Sequence, residues 1–260
     1  MDFLRRIEED FKNLENEVRK KFPDVKESID KANFTLKTIR DSYVSDVMKK
    51  SDDETKLARF KSIEIAQPYL LTCIQADSIS NFKLIMMALN GLQMVLDFKI
   101  LPLDEAHNVL KILIYQSSGK SEIQMKILQI GLQLANSLAS DPSFQFYLND
   151  QTIKSFFFLS LSLCDDLVLS VSSTAFVTSR QIIVILLEKI KYTSNDQSSL
   201  GETIDILNSF LGLIKDLSLV CSLSKPNWLL GNLSPFCLIS IQFVFFIIIF
   251  LILIVFSILT

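Results

Sequence analysis

Leu4, Ile7, Phe11, Leu14 and Val18 recur at steps of three and four residues, with Arg, Glu and Lys between them. That period places the five on one stripe of a helix and leaves the remaining face to solvent. The stripe ends at Phe22-Pro23, because a residue that precedes proline is steered away from the α region. A second helix is expected from about Asp24 to Lys50, with Val25, Ile29, Ala32, Leu36 and Ile39 on its inner face. Asp24 is placed to cap it, with Glu27 three residues later as the capping-box partner.

Lys49 to Glu54 reads as a charged turn. Helical spacing resumes through Leu57, Phe60, Ile63 and Ile65, and Pro68 is expected to kink or restart that helix. Further helical stretches fall at about 79–98, 103–117, 121–139, 150–164, 166–191 and 200–221. Short polar joints separate them, among them Ala76-Asp77-Ser78, Ser117-Ser118-Gly119 and Asn195-Asp196-Gln197. Helices of this length with such brief connections favour antiparallel neighbours. No exact repeat exists, but helix pairs recur at roughly 40 residues, as armadillo or HEAT stacking requires. With only six glycines and six prolines, the chain lacks the turn residues of a β-rich protein. The predicted fold is therefore all-α: an armadillo/HEAT-like α-solenoid of antiparallel helix pairs, ending in a C-terminal apolar helix. An irregular helical bundle is the alternative.

Charge is divided unevenly. Residues 1–61 carry more than half of the 26 Lys and Arg, together with almost as many acids, whereas only Lys215 and Lys225 follow Lys191. A balanced front of this kind reads as solvated helix faces, and no one-signed stripe suggests a nucleic-acid partner. The densest basic cluster is Arg19-Lys20-Lys21 with Lys26 nearby. Lys20, Lys21 and Lys26 are the candidate contacts to an anionic membrane, while the competing reading is a set of cations placed at a helix C-terminus by the dipole.

Candidate chemistry is sparse. His107 is the single histidine, so a His pair or a Ser-His-Asp arrangement has no second member. Asp104 and Glu105 before it suit a helix start. Asp165-Asp166 are adjacent, point apart on a helix, and fit a cap at a junction. Cys73, Cys164, Cys221 and Cys237 are isolated, with no CxxC spacing, so neither a metal site nor a disulfide framework is expected. Glycine-rich phosphate loops, GxSxG and HExxH are absent. The expected class is non-enzymatic, without metal or cofactor.

Three segments carry a family resemblance. Lys20-Lys21-Phe22-Pro23-Asp24-Val25-Lys26-Glu27, with Leu36-Lys37-Thr38-Ile39 after it, is one. Ala66-Gln67-Pro68-Tyr69-Leu70-Leu71-Thr72-Cys73 is the second, and Thr178-Ser179-Arg180-Gln181-Ile182-Ile183-Val184 the third. In this order and spacing they resemble the dimerisation and cyclophilin-binding domain of the monensin-sensitivity (Mon-two) proteins, large scaffolds related to the Arf guanine-nucleotide exchange factors. Lys225-Pro226-Asn227-Trp228-Leu229-Leu230-Gly231 is similar to the start of the next family region. The resemblance implies a solenoid domain over 1–192 and a linker with the start of a further helical region over 193–235. It also implies self-association, partners among Arf-like small GTPases and Dopey-type proteins, and peripheral attachment to trans-Golgi or endosomal membranes from the cytoplasmic side. It supplies no catalytic residue. The expected role is a non-catalytic scaffold in Golgi–endosome vesicle transport, against the alternative of an unrelated tail-anchored adaptor.

Phe236 to Leu259 departs from that family. It is uncharged, and 20 of its 24 residues are Phe, Ile, Leu or Val, enough to span a bilayer as a helix. Two readings stand. A T-rich non-coding stretch read in frame would give this run, since these four residues share thymine at the second codon position. As a real segment it would insert as a tail anchor, with Lys225 and Trp228 at the membrane interface.

Overall fold

A computed structural model describes residues 2–18, 21–47, 61–76, 81–141, 150–164 and 166–193, with scattered positions from 208 to 224. The chain divides into two compact units, Met1–Ser137 and Leu138–Thr260. The described residues are helical, without a strand among them, and within each unit neighbouring helices pack on one another.

The first unit opens with α1 (Asp2–Val18), whose predicted stripe is buried throughout: Leu4, Ile7, Phe11, Leu14 and Val18 are at most 2% exposed. Helix α2 (Pro23–Val47) begins one residue earlier than expected. Proline is favoured as the first helical residue, where its missing N–H would have had no partner anyway. The Lys26 amide donates to the Phe22 carbonyl at 3.3 Å, so Phe22 holds the cap position. Asp24 is thus not the cap of a capping box; it lies in the first turn, and its carboxylate accepts from Gln75 Nε2 at 2.8 Å.

Helix α3 (Ile63–Gln75) is capped by Ser62, whose hydroxyl accepts from the Glu64 amide at 3.3 Å. Pro68 does not restart this helix, one of the two outcomes expected of it; α3 continues through it. Burial of Ile65, Ala66, Tyr69, Leu70 and Cys73 holds the helix together around the missing bond. Helix α4 (Phe82–Asp97) closes with a Schellman motif. The Ile100 amide donates to the Val95 carbonyl at 3.1 Å and the Lys99 amide to the Leu96 carbonyl at 2.9 Å. Lys99 sits at φ 55°, the left-handed conformation that this motif usually gives to glycine.

A 3₁₀ turn at Leu103–Glu105 leads into α5 (Ala106–Tyr115), and a second at Gln116–Ser118 leaves it. The buried Gln116 donates from Nε2 to the Cys73 carbonyl in the last turn of α3, satisfying one of the carbonyls a helix end leaves open. Helix α6 (Ser121–Ser140) follows.

Side-chain pairs give the helix directions. Lys26–Glu15 at 3.5 Å lies near the α1–α2 joint and Arg40–Glu8 away from it, so the two helices are antiparallel. Gln75–Asp24 and Thr35–Glu64 set α3 antiparallel to α2. Lys83–Glu17 and the Phe3–Phe98 ring pair, 5.4 Å between centroids, set α4 antiparallel to α1. Lys126–Gln93 and Gln133–Asp97 (2.6 Å) set α6 parallel to α4. Parallel equivalents roughly 40 residues apart are what an armadillo-type repeat produces.

In the second unit, α7 (Asp150–Leu161) packs on α8 (Leu169–Thr193). Ile153, Phe156 and Phe157 are buried on α7; Val171, Ala175, Ile182 and Ile183 are buried on α8. Asp166 accepts from the Val168 amide at 2.8 Å in the turn ahead of α8, while Asp165 lies outside the described residues. Of the helix expected at 200–221, positions 211–216 are described and helical, with Leu213 and Asp216 buried. The apolar run 236–259 lies outside the described residues.

Candidate interaction surface

The family-like segment at 66–73 supplies core, not surface. Tyr69 is fully buried, its ring tilted against that of Phe11 at 5.3 Å between centroids. Its hydroxyl faces the Asp10 carboxyl without reaching hydrogen-bond geometry. Burial pushes the Asp10 carboxyl above its ordinary value, and the Tyr69 hydroxyl draws it part of the way back. The Cys73 thiol is fully enclosed and pushed up to about 12 by burial; a thiol held protonated is a poor nucleophile and metal ligand. Cys164 is buried as well, and Cys221 and Cys237 lie outside the described residues.

His107 stands in the first turn of α5. Desolvation first, then the nearby Lys111 charge, lower its pKa and favour the neutral imidazole. Glu105 in the preceding 3₁₀ turn accepts from Asn108 Nδ2 at 2.7 Å, a helix-start contact. Among the described residues no group of three or more His, Cys, Asp or Glu is arranged to hold a metal ion.

At the α1–α2 joint, Lys21 is exposed and Lys26 pairs with Glu15. Lys83 from α4 pairs with Glu17 close by. Acids therefore interleave with the cations at this end of the unit. Lys20, Lys225 and Trp228 lie outside the described residues. No described helix is long and apolar enough to cross a membrane.

A feature with no counterpart in the sequence reading is the outer face of α8. Val177 and Val184 are 56% and 44% exposed, and Ser173, Arg180, Gln181 and Glu188 share that face. Helical spacing alone could have shown the stripe, but valines seven residues apart are first read as core. Phe34, Ile74 and Tyr115 are also exposed, singly, in the first unit.

These are surfaces for contact: packed helices, inert buried thiols and open helix faces. No curated protein and no solved structure matches the chain significantly. The family model for the Mon2/Sec7/BIG1-like dimerisation and cyclophilin-binding domain matches residues 1–194. This domain is one of association and not of catalysis. Since the match takes in well over half of the 260 residues, the chain belongs to the Mon2/Sec7/BIG1-like dimerisation and cyclophilin-binding domain family.

Proposed function

We propose that this protein is a non-catalytic scaffold in Golgi–endosome vesicle-mediated protein transport. It associates with itself and gathers trafficking partners at the membrane. The observation that carries the reading is the family match over 1–194. The helical repeat geometry of the first unit supports it, because such stacks bury only the faces between neighbours and leave extended surface for partners. In this reading an Arf-like small GTPase and a Dopey-type protein are the partners. The protein works from the cytoplasmic side of trans-Golgi and endosomal membranes, with Lys20, Lys21 and Lys26 as secondary contacts to anionic lipid.

Two differently tagged full-length copies, co-expressed and solubilised in mild detergent, test the self-association. Each tag should retrieve the other; recovery of one tag alone would remove that part of the proposal. Purified Arf-like GTPase, loaded with GTP or GDP and passed over the immobilised protein, tests the partner class. Retention that depends on the nucleotide is expected, and retention of neither form would count against it.

The apolar run supports a second reading of how the protein reaches the membrane. Phe236 to Leu259 is long enough to insert as a helix, with Lys225 and Trp228 at the interface. Carbonate extraction of the native protein, with peptide mapping of its C-terminal region, separates an anchored protein from a peripheral one.

A further inference from the structure

Four positions on α8 depart from the usual partition of side chains. Thr178 and Ser179 are buried at 4% and 1% exposure, while Val177 and Val184 point outward. Buried hydroxyls cost little when satisfied, and Ser179 is, donating to the Ala175 carbonyl at 2.9 Å. The exposed valines have no such compensation. Seven residues apart, they fall on one line along the helix.

The charges beside them have an order. Arg180 and Glu188 are both exposed and lie one helical turn before and one turn after Val184. In an antiparallel pair of identical helices with its two-fold axis at Val184, residues equidistant from the axis meet. Val184 then packs on its own copy, and Arg180 faces the partner's Glu188 on both sides of the axis. Opposite charges at equal and opposite offsets make this face complementary to itself, which is the condition for an isologous contact. A parallel pairing would oppose like charges, and the mixed sign gives an anionic membrane no net attraction. We propose that the face formed by Arg180, Val184 and Glu188 is the docking site for a second copy of this chain, antiparallel about Val184.

This inference rests on the self-association proposed above, and the test separates the two. Sedimentation equilibrium of the full chain in detergent is compared for wild type, Arg180→Glu, Glu188→Arg and the double reversal. Each single reversal turns two attractive pairs repulsive, so dimer dissociation should strengthen roughly ten-fold; the double reversal should restore wild-type affinity. Both substituted positions are exposed, so helical content by circular dichroism should not change. A wild type that dimerises with all variants unaffected would overturn this face and leave self-association standing. Weakening by the single variants without rescue by the double would overturn the antiparallel register. A wild type that is monomeric at every concentration would overturn both proposals.

Discussion

Gly91 on α4 leaves the space that the Tyr69 ring of α3 fills: a Cβ on Gly91 would overlap the ring at Cε1, Cζ and Cδ1. The glycine serves close approach and not backbone freedom. Tyr69 is locked from the other side by Phe11 on α1, so three helices of the first unit converge on one ring. Gly91→Ala would normally strengthen a helix by about 0.5–1 kcal/mol. Here it overpacks a closed core, which costs about 1–3 kcal/mol. The net expectation is a lower midpoint in urea unfolding followed by circular dichroism. A variant at or above wild-type stability would show that α3 and α4 can separate without loss.

Asp10 gives this same cluster a dependence on pH. Burial raises its carboxyl above the ordinary 3.8. Between 3.8 and the folded value, the folded chain holds a proton that the unfolded chain has released. Its contribution to stability is therefore complete below 3.8 and is lost as pH rises through the folded value. Asp10→Asn keeps the shape and removes the charge. It should be more stable than wild type at neutral pH and should show a flatter decline across mildly acidic pH. Parallel stability-versus-pH curves for the two proteins would contradict this.

Lys99 at φ 55° occupies a position suited to glycine. The left-handed conformation costs an ordinary residue roughly 1–2 kcal/mol, and part of that returns through the greater freedom of glycine in the unfolded chain. Lys99→Gly should therefore stabilise by up to about 1 kcal/mol, read as a rise in thermal midpoint. A fall would mean that the lysine side chain contributes more than its backbone costs.

What the sequence disclosed and what it concealed follow from one distinction. The stripe of α1 and the break before Pro23 are local, and local spacing was enough to read them. That α3 runs on through Pro68 depends on burial of the residues around it, which only tertiary packing reveals. The fit of Gly91 to Tyr69 and the hydrogen bond from Gln116 to Cys73 join residues far apart in the chain, so no window of sequence contains them. Lys99 was invisible because lysine is an atypical choice for its conformation. The outer face of α8 was hidden by a rule that holds elsewhere: valine at helical spacing marks a core, yet Val177 and Val184 lie outside while Thr178 and Ser179 lie inside. The basic cluster was legible as charge, but the pairing of Lys26 with Glu15 was not.

That pairing sets the expectation for membrane binding. A cation near an anionic surface contributes about 1 kcal/mol, and its effect decays over the Debye length, about 8 Å at physiological salt. Three free lysines would thus amount to a substantial electrostatic contact. Lys26, however, has Glu15 at 3.5 Å, which largely offsets its charge, while the Lys83–Glu17 pair at the same end of the unit is neutral overall and leaves the charge of Lys21 in place. Changing Lys20, Lys21 and Lys26 together to Ala should lower partition of the full-length protein into phosphatidylserine vesicles several-fold at low salt. The difference should shrink as salt rises. An unchanged partition would make the cluster a helix-end feature alone. Complete loss of binding, persisting at high salt, would make these lysines the principal membrane determinant and would count against both a family-type peripheral complex and the apolar run as the main attachment.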